Sequence, residues 1–257
     1  MTRENDDGPR RLKSVKQAFD MIEYLRTDGP ATLSDVAQAL DMPMSTAHIH
    51  LATLVDSGYV VKSDGKYQCS LLFLRTGGEL RDEMPLFQAA KNEVDDLQEK
   101  LGEIANLATI ENGYMVQLYK SENAESIDDN APLGDHFYMH TTATGKSMLA
   151  HLPQEEREDI LERRGLPRST EGTIDDHEEL MADLETIRER GYSINRGEHF
   201  GGVCAAAVPI MSKNHSVLGA ISLSGPISRM SDERIEDEIA PELFDKKNII
   251  ELKLKQY

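Results

Sequence analysis

Six residues suited to touching base edges or phosphates fall within one nine-residue window: Ser45, Thr46, His48, Ile49, His50 and Thr53. Ser45 and Thr46 carry hydroxyls for phosphates or bases. His48 and His50 can donate or accept at a base edge, and Ile49 can meet a thymine methyl group. On one helix lying in a major groove, such residues would make a DNA reader. Lys62 and Lys66, sixteen and twenty positions past Thr46, are placed to reach the duplex backbone or minor groove. Arg10, Arg11, Lys13 and Lys16 form a basic cluster suited to phosphates. A histidine pair two apart on a helix diverges by about 200°, so His48 and His50 do not suggest a metal site.

The surrounding elements must position those side chains. Ser14 can cap a helix whose apolar residues Val15, Ala18, Phe19, Ile22 and Leu25 follow helical spacing, ended by Asp28-Gly29-Pro30. Leu33, Val36, Ala37 and Leu40 give a short helix from Thr32–Ser34. After Asp41-Met42-Pro43 a third helix opens, with Ala47, Leu51, Leu54 and Val55 inward and Gly58 just past its end. Tyr59-Val60-Val61 and Lys66-Tyr67-Gln68-Cys69 flank a Ser63-Asp64-Gly65 turn. Helix, turn, helix and hairpin make a winged helix-turn-helix, and double-stranded DNA is the expected partner.

Leu71–Leu74 and Gly77-Gly78 form a connecting segment, and a helix is expected over 85–101. Strands are expected at 104–110 and 114–119 around Asn112-Gly113, then at 203–210 and 217–223. Between them come a polar loop at 121–135 and helices near 144–151, 154–164 and 176–190; a last helix starts near Ser231. Hairpins mixed with helices predict an α+β fold with an antiparallel sheet. The expected division is a reader at 10–70, a linker at 71–84 and a second domain at 85–257. His136 and His140 would share a helical face, but Pro132-Leu133-Gly134 and the intervening aromatics favour an extended stretch, so no metal is expected there.

No apolar run approaches a membrane span, and the polar N-terminus lacks a signal-peptide segment, which points to a cytoplasmic protein. Cys69 and Cys204 are expected as reduced thiols. The net charge of −18 is unusual for a DNA-binding chain. Its placement is informative: residues 1–80 hold 9 Lys/Arg against 11 Asp/Glu, whereas 81–257 hold 19 against 35. The acid therefore sits away from the reader. Such a balance suggests a halophilic protein, working where salt suppresses the counterion-release gain.

Taken in order, SVKQAFDMIEYL, TLSDVAQAL, MSTAHIHLATLVDSGYV, LGEIANLAT, HTTATGKSMLAHL, LETIRERGYSIN and VCAAAVPI…LGAISLSGP resemble the IclR family of transcriptional regulators. The resemblance implies a GAF-like effector-binding α/β domain behind the winged helix, in a homodimer or homotetramer. It also implies a pocket on one side of the sheet, lined by Ala143, Thr144, Asn195, Arg196, Cys204, Ser222 and Ser224. The family often has Arg where Ile49 stands and an acidic residue near Asn195-Arg196. Replacing that acid by Asn-Arg would let Arg196 meet a carboxylate directly, so an organic or sugar acid is the expected effector. A helix N-terminus at Thr144 favours an anion in the same way. Ligand-independent DNA binding, with a second domain that only oligomerises, is the alternative. Catalysis is not expected: Cys204 with His199 would be a nucleophile and base, but Cys204 lies in an apolar strand where nothing activates the thiol. No cofactor is expected.

Overall fold

The computed structural model describes residues 11–124, 126 and 131–255. Arg10 and part of the expected polar loop lie outside the described residues. The chain divides into two compact units, Met1–Leu80 and Arg81–Tyr257.

In the first unit, α1 (Lys13–Asp28), β1 (Ala31–Thr32), α2 (Leu33–Ala39) and α3 (Met44–Asp56) precede the hairpin of β2 (Val60–Ser63) and β3 (Lys66–Cys69). Thr32 and Asp35 form a capping box that starts α2, each side chain accepting from the other's backbone N–H. Asp64 and Gly65 both take positive φ, which matches the hairpin's twist to that of its strands. The core gathers Met21, Leu25, Val36, Ala47, Leu51, Leu54, Val60 and Tyr67. Strand order is β1-β3-β2.

Three expectations need correcting here. Ser14 does not cap α1: the cap position is Leu12, with no side-chain bond, and Ser14 already lies inside the helix. Of the apolar stripe of α1, Leu25 is buried, but Val15 and Phe19 stand exposed, because the small core reaches only the C-terminal half of the helix. Beyond the wing, the stretch read as a connecting segment forms α4 (Leu72–Asp82), which runs through Gly77-Gly78 unbroken. Neither glycine takes a positive φ, so neither marks a turn.

The second unit holds a six-stranded antiparallel sheet of order β6-β5-β4-β9-β8-β7. Its strands are β4 (Ile104–Glu111), β5 (Tyr114–Ser121), β6 (His136–Tyr138), β7 (Ser193–Arg196), β8 (Val203–Met211) and β9 (Val217–Pro226). Asn112-Gly113, both at positive φ, closes the β4–β5 hairpin. On one face pack α5 (Pro85–Leu101) and α10 (Ala240–Leu254), over Leu107, Cys204, Ala206, Val208, Ile221 and Leu223. A short α9 (Asp232–Arg234) and a π turn (Ile235–Ile239) lead into α10. The opposite face carries α6 (Ala143–His151), α7 (Gln154–Arg164) and α8 (His177–Arg190), over Ala108, Met115 and Ala220. The result is helix–sheet–helix, with the sheet buried on both sides. β6 and β7, of three and four residues, were not anticipated: neither carries a long alternating pattern.

Candidate functional site

The first surface to consider is α3. Ser45, His48, Ile49 and Thr53 are exposed, and Thr46 and His50 are half-buried. Ala47, Leu51 and Leu54 anchor the opposite side in the core. Pro43 caps α3 without a side-chain bond, and Ala47 N–H makes the first intrahelical bond, to Pro43. The N–H groups of Met44, Ser45 and Thr46 therefore point out of the helix end, a favourable place for phosphate. Thr53 Oγ1 donates to Ile49 O at 2.9 Å, which leaves its oxygen only as an acceptor. On the wing Lys62 and Lys66 are exposed, with Lys62 Nζ 4.9 Å from the centre of the Tyr67 ring. Arg11 and Lys13 are exposed, whereas Lys16 pairs with Asp20 at 2.8 Å.

A second candidate is a cleft of about 550 Å³, counted with the solvent at its mouth, in the α6 face of the second unit's sheet. Its floor is polar. Asn106 Nδ2 donates to Ser222 Oγ (3.3 Å) and Ser224 Oγ (3.1 Å), and Gln117 Nε2 donates to Asn106 Oδ1 (2.7 Å) and Tyr119 O (3.1 Å). Both serine oxygens already accept, so their own O–H groups remain as donors, while Gln117 Oε1 remains as an acceptor. Facing the floor is the start of α6. There Thr142 Oγ1 accepts from Gly145 N, and Lys146 N–H makes the first intrahelical bond. Ala143 and Thr144 thus keep N–H groups without an intrahelical partner. Met115, Phe137, Phe200 and Val203 supply apolar wall, with Asn195 and His199 beside them.

α6 can approach this closely only because residue 145 is glycine: a Cβ there would lie 2.2 Å from Met139 O. Behind the cleft, Lys146 is 1% exposed and its Nζ lies 2.8 Å from carboxylate oxygens of both Glu198 and Asp183. Burial pushes the Glu198 carboxyl above its ordinary range, against the pull of Lys146. Asn195 bonds Thr141 O and accepts from Glu198 N–H, so the buried ion cluster is tied directly to a cleft residue.

Of the seven effector-site expectations, Ala143, Thr144, Asn195, Ser222 and Ser224 come together around this cleft. Arg196 and Cys204 do not. Alternation along a strand sends them to the other face of the sheet, where Cys204 is fully buried in the α5–α10 core. Arg196 pairs there with Asp232 and contacts Cys204 Sγ at 3.6 Å. Burial raises the Cys204 thiol, which suits core packing. No charged side chain lines the cleft among the described residues, so an anion there would be met by neutral donors rather than by a guanidinium. His136 and His140 do not converge either: His136 bonds Gly134 O and Glu111, and His140 bonds Pro167 O. Sequence reasoning missed Asn106 and Gln117. Each is a lone amide flanked by apolar residues in its strand, and a polar residue within an apolar run is the signal that was available. Replacing Asn106 by Leu is expected to strand Gln117 and cost about 1–3 kcal/mol, measurable by chemical denaturation.

Comparison with known proteins bears on both surfaces. Residues 14–64 match the IclR helix-turn-helix domain, and residues 79–250 match the bacterial transcriptional regulator IclR C-terminal domain. The chain belongs to the IclR family. An IclR-family chain is a DNA-binding transcriptional regulator with an effector-binding C-terminal domain, not an enzyme. A similar curated protein is the probable HTH-type transcriptional regulator ArcR of Halobacterium salinarum, 30% identical over 98% of this chain and 97% of that protein. Among solved structures, Thermotoga maritima IclR superposes with a TM-score of 0.83 at 28% identity, covering 95% of this chain and 99% of that one. An IclR homologue of Microbacterium hydrocarbonoxydans, solved in complex with 4-hydroxybenzoate, gives 0.80 at 26% identity, covering 95% and 100%. No helix of the described residues is long and apolar enough to cross a membrane.

Proposed function

We propose that this IclR-family regulator binds a small organic or sugar acid in the cleft beneath α6, and that the acid alters its grip on operator DNA. The observation that carries this reading is the cleft's polarity: two serine hydroxyls on the floor face two free N–H groups at a helix start, within apolar walls. Donors on both sides suit a carboxylate, and the absence of acid in the first turn of α6 leaves that end unopposed. The acid controls DNA only through different affinities for the DNA-competent and incompetent arrangements. Thermal melting against a panel of organic and sugar acids tests the reading, followed by operator titration with any acid that stabilises. A panel that shifts nothing would leave a DNA-binding protein whose second domain only oligomerises.

In this reading a homodimer sets two α3 helices on the half-sites of a palindrome. Leu12 at the cap of α1, with Val15 and Phe19 on the helix, all exposed, support self-association of the reader domain. Ser45, Thr46, His48, Ile49, His50 and Thr53 contact the duplex, while Lys62, Lys66, Arg10 and Arg11 serve its backbone. Arg10/Arg11→Ala should weaken binding to every sequence alike and flatten the salt dependence. His50→Ala should instead change sequence preference; competition binding with randomised half-sites separates the two. The charge of −18, held mostly in the second domain, supports work at high salt, so operator preference is expected to persist in molar potassium chloride.

A further inference from the structure

His199 sits in the wall of the cleft with its ring edge-on to Phe137 (4.8 Å between centres) and Phe200 (4.2 Å). Its protonation pattern follows from its neighbour. Thr141 Oγ1 donates its single hydrogen to Tyr138 O at 2.8 Å, so at 3.2 Å from His199 Nδ1 the same oxygen accepts. The ring therefore carries its hydrogen on Nδ1. Burial lowers the pKa of His199, helped by nearby His140, which keeps the ring neutral. A neutral imidazole protonated on Nδ1 has a lone pair on Nε2, and no described residue donates to it.

The cleft thus offers unlike groups in different places. At the floor and the start of α6 it presents donors; in the aromatic wall, His199 carries an acceptor. An unsubstituted carboxylate satisfies the donors and leaves His199 idle. A ligand with an O–H beyond its carboxylate satisfies both.

We propose that His199 is a specificity-determining residue, whose Nε2 accepts a hydrogen bond from a hydroxyl of the bound acid and so selects hydroxy acids over their unsubstituted counterparts. This rests on the organic-acid reading above and adds the class of acid. Gln117 Oε1 and Thr144 Oγ1 are further acceptors in the lining, so the test must assign the preference to His199 itself.

Pairs of acids differing by one hydroxyl provide the probe: glycolate and acetate, lactate and propionate, mandelate and phenylacetate, 4-hydroxybenzoate and benzoate. Titration of the full chain by calorimetry is expected to show the hydroxylated member of a bound pair about tenfold tighter, the gain of one well-made hydrogen bond in a desolvated site. His199→Phe keeps an aromatic ring between Phe137 and Phe200 and should bring that ratio near one. His199→Gln, which keeps an amide oxygen within reach, should restore part of the preference. A ratio near one in the unaltered protein, or a preference that survives His199→Phe, would overturn the assignment while leaving the organic-acid reading intact. Failure of every acid in the panel to bind would remove both. Should His199→Phe not fold, the ratio in His199→Gln decides: a preference undiminished from the unaltered protein also overturns it.

Discussion

Lys146→Met is expected to lower the stability of the second domain by about 3–5 kcal/mol at neutral pH, the usual cost of removing one partner from a buried ion cluster. Lys146 is the cation between Glu198 and Asp183, each 2.8 Å from its Nζ. Methionine fills much the same volume, so the loss would be electrostatic rather than a cavity. Two carboxylates would then share a site with no cation, and one of them must hold a proton. Glu198 is the candidate, because burial already raises its carboxyl even with Lys146 in place. A carboxyl whose pKa is raised by folding is most favourable below its unfolded pKa, and its contribution declines as pH rises through the folded value. The Lys146→Met penalty should therefore shrink on acidification towards the ordinary carboxylate range and reach its maximum above the raised pKa of Glu198. Urea denaturation of both proteins across that interval measures this. A penalty that stays constant with pH would show that packing, not charge, explains Lys146.

The cluster also shows what kind of information a linear reading misses. Lys146 and Glu198 are 52 positions apart and polar, which marks each as a surface residue until the fold brings them together. Local signals fared better. The periodicity over 85–101 became α5 with the same ends, and Asn112-Gly113 and Asp64-Gly65 became hairpin turns, because each depends only on its own backbone and immediate neighbours. Ser222 and Ser224 share one face because two residues of spacing fix strand parity. Asn195, Arg196 and Cys204 rest on the family resemblance, which carries no parity. A one-residue difference sends a side chain to the opposite face, so Arg196 and Cys204 landed in the wrong layer. The α1 stripe failed for a different reason: amphipathic spacing identifies a helix but does not say how much core is available to cover it.

Gly145→Ala should separate the two domains' functions most sharply. The added methyl would lie 2.2 Å from Met139 O and 2.6 Å from Met139 Cα, both backbone atoms that no rotamer change can move. Either α6 withdraws or the Met139–Thr141 turn shifts. The first displaces the free N–H groups of Ala143 and Thr144; the second displaces Thr141, which bonds both Asn195 and His199. Overpacking of this kind costs about 1–3 kcal/mol or more. Gly201, in the loop bearing His199 and Phe200, is the control, since an added Cβ there meets nothing within 4 Å. Gly201→Ala should behave as the unaltered protein. Gly145→Ala should melt earlier and lose ligand-induced stabilisation. DNA binding in the absence of effector should survive, because the reader has its own core around Met21, Leu51 and Tyr67. Melting curves with and without a stabilising acid, set beside operator titrations, measure all three quantities. Full ligand stabilisation in Gly145→Ala would mean that the approach of α6 to the Met139–Thr141 turn does not build the binding cleft.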